Sequence, residues 1–279
     1  MVGTFNRLGW CSALTELLRF RCLLLSLTRR DLRVRYAQSM LGIAWAVLQP
    51  FSMMLVFTFV FTRAVVGTSL ALDENLPYSL YAYAGLVPWT FFSSSLNNCL
   101  NSLVANRNLV TKVYFPREVL PLSCVAGSLV DFCVAMSVLF LLGLYFHWTG
   151  QFTPDVGPAV GFLPLIVLIQ LGLTAGLGMI LAAANLFYRD VRPIFGVVIP
   201  LWMFLSNVVV PVRSDGSVFA SIIAWNPLLS LISAYRDCLL HGRVPQASGM
   251  LYACVASVLT FIGGWAIFRR ASYRFAERI

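Results

Sequence analysis

Residues Asn106–Pro121 read N-R-N-L-V-T-K-V-Y-F-P-R-E-V-L-P, a polar, basic island between two long apolar regions. Its positive charges are Arg107, Lys112 and Arg117, and Pro116 and Pro121 mark where a new helix begins. Proline is tolerated in a first helical turn because the amide it lacks has no partner there. Between these marks Leu109, Val110, Val113, Tyr114 and Phe115 carry more apolar surface than a solvated turn needs. The pattern predicts a short amphipathic helix that offers an apolar face to a partner. On this reading the loop receives force from another subunit, and the rest of the chain forms the path which that force opens.

The surroundings of the loop are those of a membrane. Of 279 residues, 59% are hydrophobic and 11% charged, and the mean hydropathy is +0.81. A soluble domain carries about 25% charged residues, so this chain has too few to cover a water-facing surface. The expected fold is an all-α polytopic membrane protein with six transmembrane helices. The spans fall at Leu41–Phe61, Tyr78–Leu100, Val119–Phe146, Val160–Leu181, Pro193–Val212 and Gly249–Phe268. Ahead of them, Leu14–Ser39 alternates leucines with Arg19, Arg21, Arg29, Arg30, Arg33 and Arg35. It reads as an amphipathic interface helix lying on the membrane surface; a merely basic cytoplasmic lead-in is the alternative. The first forty residues contain no short apolar core followed by a small-residue cleavage site, so no cleavable leader is expected.

Val218–Tyr235, between spans five and six, is apolar but interrupted by Asn226 and Pro227. Each half gives roughly 12 Å of helix, too short for a hydrocarbon core of about 30 Å. A re-entrant hairpin follows, and such a hairpin needs protein or water to satisfy its backbone. Charge sets the orientation. With six spans and the N-terminus inside, sixteen of the 20 Lys and Arg residues face the cytoplasm, as the positive-inside rule asks. Arg63, Arg213, Arg236 and Arg243 fall on the other side. The domain layout is thus 1–40 for the cytoplasmic N-terminus with its interface helix, 41–268 for the six-span unit, and 269–279 for a short cytoplasmic tail. The net charge of +9 is an inner-leaflet edge that meets anionic lipid, and no nucleic-acid groove is expected.

Few residues carry chemistry. Asp131 is the one acid deep in an expected span, about 21 Å of helix past Arg117 and hence near mid-membrane. It serves either a proton relay or a helix-packing hydrogen bond; the absence of a buried Lys, Arg or His from the reading favours packing. Ser94, Asn97, Asn98 and Asn101 form a polar stripe on the second span that should face protein or water. Gly172, Gly176 and Gly178 form a small-residue pattern for close helix approach, within one subunit or between two. Aromatics cluster around the second span, where some could line a passage for sugar faces. The seven cysteines are scattered without a C-x-x-C pair, and His147 and His241 show no ligand spacing. No disulfide framework, metal or bound cofactor is expected. No G-x-x-x-x-G-K-[ST], G-x-S-x-G or H-E-x-x-H occurs, so the chain should be neither an ATPase nor a catalyst by itself.

Four patches in fixed order carry a resemblance. They are R-D-L-R-V-R-Y-A-Q-S-M-L-G-I-A-W-A-V-L-Q-P (30–50), N-L-V-T-K-V-Y-F-P-R-E-V-L-P (108–121), N-L-F-Y-R-D-V-R (185–192) and L-W-M-F-L-S-N-V-V-V-P (201–211). Together they resemble the membrane permeases of ABC type-2 polysaccharide exporters, the Wzm, KpsM and TagG group. The resemblance implies a homodimer of six-span subunits above two separate ABC subunits that bind ATP and Mg. It makes Asn106–Pro116 the coupling helix, with Arg107, Asn108, Leu109, Lys112, Tyr114 and Phe115 meeting the ATPase. Leu14–Tyr36 becomes the interface helix, and Val218–Tyr235, with Asn226 and Pro227, the exit hairpin. The implied cargo is a lipid-linked polysaccharide on a polyprenyl diphosphate carrier, O-antigen ahead of capsule or teichoic acid. Any glycan-reading domain would sit on the ATPase partner. Arg30, Arg33, Arg35 and Tyr36 then stand at the entrance for the lipid diphosphate, or simply anchor the inner leaflet. One departure is Asn207, where the family commonly has proline. Rival readings are a type-2 exporter of drugs or lipids, a membrane-embedded glycosyl- or acyltransferase, and a non-enzymatic scaffold.

Overall fold

The computed structural model describes residues 19–37, 39–63, 76–113, 115–152, 157–209, 223 and 225–275. These fold into nine α-helices and two short 3-10 helices, with no strand among the described residues. In chain order the α-helices are α1 (Arg21–Tyr36), α2 (Trp45–Arg63), α3 (Tyr78–Ala105), α4 (Arg107–Lys112) and α5 (Val119–Trp148). They continue with α6 (Leu163–Phe187), α7 (Val191–Phe204), α8 (Pro227–Leu239) and α9 (Ala247–Ser272).

Among the described residues, four helical segments are long and apolar enough to cross a membrane: Gly42–Phe61, Val119–Trp148, Pro158–Phe187 and Ala247–Ser272. They match the expected first, third, fourth and sixth spans. The expected second span is the 28-residue α3, about 42 Å long. It is the central helix, with almost every side chain from Tyr78 to Phe92 buried. A helix walled in by its neighbours does not need an apolar exterior, so α3 can carry serines and asparagines. The expected fifth span, Pro193–Val212, does not continue as one helix to Val212. The helix α7 ends at Phe204 after 14 residues, and a turn follows in which Asn207 takes φ +54°. Asparagine tolerates this left-handed conformation, whereas a proline, locked near −65°, cannot adopt it. The departure from the family pattern therefore has a backbone consequence.

Asn226 and Pro227 start α8. The Asn226 Oδ1 accepts the Leu228 amide at 3.1 Å and Pro227 occupies the first turn, the usual chemistry of a helix start. The same side chain donates to the Leu205 carbonyl and the Ser206 hydroxyl, so it ties α8 to the end of α7. The second limb of the expected hairpin is thus a helix. Most of the first limb, at 218–222 and 224, lies outside the described residues, as does the start of the expected interface helix.

Helices α6 and α9 touch backbone to backbone. A Cβ on Gly176 would sit 2.5 Å from the Thr260 carbonyl oxygen, and one on Gly264 would collide with the Gly176 carbonyl. The small-residue pattern works within the subunit. Buried polar groups bind the core across helices: Gln170 of α6 donates to the Pro88 carbonyl at 2.8 Å and accepts from Tyr235 of α8 at 2.8 Å.

One end of the bundle collects the basic residues. There Arg30 reaches Asn106 at 2.6 Å, Arg117 donates to the Ser272 carbonyl, and Arg269 stands 3.7 Å from Glu118. A separate apolar cluster holds this end together, with Leu27, Leu103, Val110, Phe115, Trp265, Phe268 and Phe275 buried in it.

Candidate functional site

The corner between α3 and α5 folds as the sequence suggests, with one change of role. The helix α4 covers Arg107–Lys112 and gives way to extended backbone at Val113. Arg107, Asn108, Thr111, Lys112 and Val113 are exposed, Leu109 is half-buried, and Tyr114 lies outside the described residues. Phe115 and Val110, expected to face a partner, are instead buried in the chain's own cluster. Burying them anchors a six-residue helix that could not persist alone. The surface that α4 leaves exposed is therefore its polar and basic side, edged by Leu109 and Val113.

The helix α1 lies lengthwise on α5. Thr28 contacts the Ser123 carbonyl at 3.4 Å, and Arg35 and Tyr36 both reach Asp131. The nearly constant sequence offset of these contacts means that the two helices run parallel. The half-buried side of α1 is seated on protein, while Arg29, Arg33 and Val34 face outward.

Asp131 is consequently not an isolated acid. Its Oδ1 accepts from the Tyr36 hydroxyl at 2.6 Å, and its Oδ2 takes an ion pair from Arg35. Burial, followed by the hydrogen bond to the carboxylate, pushes the Tyr36 phenol up to about 12, so it stays a donor at neutral pH. The helix α5 has 30 residues, about 45 Å, against a hydrocarbon core of about 30 Å. From Asp131 to Trp148 there remains about 26 Å of helix. The carboxylate sits level with the first turn of α2 and the last turn of α1.

Around this pair lies a cavity of about 260 Å³, partly open to the outside. Helices α1 and α2 contribute Arg35, Tyr36, Trp45 and Gln49 to its wall; α3 and α5 contribute Thr90, Ser94, Asn98 and Asp131. Two members of the sequence stripe, Ser94 and Asn98, face it, and Asn98 also donates to Ser128 of α5 at 3.1 Å. The other two do not join it. Asn97 is exposed and Asn101 donates to the Asn97 carbonyl on its own helix. Arg30 is bound to Asp31 at 2.8 Å and to Asn106, so it braces the corner of α4.

At the opposite end sits a group that the sequence places only among the outer charges. Arg236 is 3% exposed, which overturns the expectation that no buried cation exists. Its guanidinium lies over the Tyr81 ring at 3.6 Å and donates to the Tyr81 hydroxyl and to the carbonyls of Asn207 and Val208. It fastens α8 and the left-handed turn to α3. No sequence signal marked it, because its partners are backbone oxygens and a tyrosine face.

The arrangement is thus a basic corner braced to a polar side cavity at one end and a locked helix at the other. A family model described as ABC-2 type transporter matches residues 23–240, taking in every element from α1 to α8. The chain belongs to the ABC-2 type transporter family. Among curated relatives of this ABC-2 chain is the O-antigen export system permease protein RfbA of Myxococcus xanthus, 34% identical over 95% of this chain and 98% of the relative. A protein of the same description from Klebsiella pneumoniae is 32% identical over 91% of this chain and 94% of its own length. The polysialic acid transport protein KpsM of Escherichia coli is 23% identical over 86% of this chain and 90% of the relative. Membership makes the chain an integral membrane permease of an ABC transporter system, and the ABC-2 relatives are transporter subunits.

Proposed function

We propose that this chain is the permease subunit of an ATP-driven exporter that carries lipid-linked polysaccharide, O-antigen in the first place, across the bacterial inner membrane. The observation that carries the reading is the 34% identity to an O-antigen export permease along almost the whole chain. The basic corner supports it, with Arg107, Asn108 and Lys112 turned outward on α4. Two copies of the chain would form the path, and two ABC subunits holding ATP and Mg would meet α4 from the cytoplasm. The chain itself would bind no nucleotide and catalyse nothing. The four long apolar segments, with α3 and α7 completing the passes, would make six spans with both termini in the cytoplasm. The α8 limb and the segment before it would form the outward re-entrant hairpin, and α1 would lie at the inner interface beside anionic lipid. Nucleotide can drive such a permease only by favouring one of its conformations over another. The α4 corner supplies a lever, since Arg30 links it to α1 and Phe115 links it to α5 and α9.

The test is genetic. Deleting the chain in a bacterium that depends on it should leave the surface without polymer while lipid-linked polymer accumulates inside. Normal surface polymer in the deletion strain would overturn the proposal, and loss of a capsule with intact O-antigen would overturn the choice of cargo.

A further inference from the structure

The cavity beside Asp131 differs chemically from the arginine row it adjoins. Along α1, Arg29 and Arg33 are exposed and suited to phosphate oxygens. Inside the cavity the one guanidinium, Arg35, is already paired with Asp131. A phosphate placed there would have to displace a carboxylate and then sit beside it, and like charges at such range repel strongly. The rest of the wall is neutral. Gln49, Thr90, Ser94 and Asn98 offer amides and hydroxyls, and Trp45 and Phe132 offer flat apolar rings. Each Asp131 oxygen accepts one bond from α1 and keeps a second lone pair. Its side chain is 17% exposed, so a ligand can reach it.

A group that fits must be uncharged, must donate to a carboxylate, must accept from amides, and must present an apolar face to an aromatic ring. A pyranose meets all four conditions, with hydroxyls around its edge and C–H bonds on its faces. The volume of about 260 Å³ lies below the roughly 300–1,000 Å³ of sites for drug-sized ligands, so the cavity holds one ring and not a chain. We propose that this cavity is a subsite for a single sugar ring, the one joined to the carrier lipid's diphosphate, with the phosphates held outside it by the exposed guanidiniums of α1. This rests on the export reading above. It removes Arg35 from the set of phosphate contacts and gives Asp131 a role in recognition. The permease would then check the first sugar of its cargo before any length of polymer is threaded.

Two substitutions fill the cavity without cutting a bond between helices. The Ser94 hydroxyl donates to the Phe91 carbonyl and the Thr90 hydroxyl to the Val87 carbonyl, both on α3 itself. Ser94→Leu and Thr90→Met therefore leave the Arg35–Asp131 pair and the Asn98–Ser128 bond in place, and melting curves check that each variant folds. The full complex of permease and ATPase subunits in lipid nanodiscs is titrated with a polyprenyl diphosphate bearing one hexose or N-acetylhexosamine, and with the same lipid bare. The reading is the concentration that half-maximally stimulates ATP hydrolysis. Wild type should respond to the sugar-bearing lipid at a concentration at least tenfold lower than to the bare one. Both filling variants should bring the two within about twofold by losing the response to the sugar, while Arg33→Glu should weaken both responses together. A free methyl hexoside in millimolar excess separates the sources. If it erases the wild-type preference, the ring is read alone; if it does not, the ring is read only when the diphosphate delivers it, and both results keep the subsite. Folded Ser94→Leu and Thr90→Met proteins that retain the tenfold preference would overturn the subsite and leave export standing. A wild-type complex that no carrier stimulates would overturn the export reading, and the subsite with it.

Discussion

Replacing Arg236 with leucine should loosen the end of the bundle far from the basic corner, and the structure gives the size of the effect. Its guanidinium donates to the Asn207 and Val208 carbonyls at 2.6 Å each and to the Tyr81 hydroxyl at 3.0 Å. Leucine fills part of the space but satisfies none of these oxygens. Two buried carbonyls left without donors cost about 1–3 kcal/mol each. No longer desolvating a cation returns part of that, so the net loss should be roughly 2–4 kcal/mol. For a chain of this size 1 kcal/mol moves a melting midpoint by roughly 2–4 °C, which gives a fall of about 4–16 °C for the detergent-purified protein. Gly85→Ala probes the same lock from the other side. Its methyl would collide with the guanidinium and stand 2.6 Å from the Val208 oxygen, at a cost of about 1–3 kcal/mol. The two changes should not add, because leucine removes one of the atoms the methyl strikes. Melting within about 1 °C of wild type for Arg236→Leu, or strict additivity in the double variant, would refute the lock.

The remaining predictions concern the basic end. Asp131→Asn and Arg35→Gln should show a coupling of about 1 kcal/mol in a double-mutant cycle of melting free energies, since Arg35 is 31% exposed; zero coupling would dismiss the pair. Phe115→Ala should lower the melting point by emptying the basic-end cluster, at about 3–5 kcal/mol, whereas Lys112→Glu should leave melting unchanged and cut polymer display; the reverse pattern would put Phe115 back on the partner-facing surface. The raised Tyr36 phenol predicts a pH effect. Its folded value of about 12 exceeds the usual 10.0, so its contribution is full below pH 10 and fades as pH rises toward 12. The melting difference between wild type and Tyr36→Phe should shrink across that window and stay constant from pH 6 to 9.

Much of this was legible in the residues. Long apolar runs mark α5, α6 and α9, because a helix facing lipid has no choice of composition. The stripe on α3 also announced itself, since amides at helical spacing in an apolar segment need partners, and Asn98 has one on α5. The Asn-Pro pair, read as a break between two half-helices, is where α8 starts. Tertiary pairing was not legible. Nothing near Asp131 in sequence points to Arg35, which arrives from a helix about 95 residues upstream. The inward turn of Phe115 depends on a cluster assembled from six helices, and the burial of Arg236 depends on carbonyls that a left-handed turn presents.

On the proposed function the chain is a path worked by separate ATPase subunits. The direct measurement is movement of a labelled lipid-linked glycan across proteoliposomes holding the permease alone, the permease with its ATPase subunits, and the permease with ATPase subunits unable to hydrolyse ATP. ATP-dependent movement is expected in the second preparation and none in the other two. Equal movement by the permease alone would contradict it.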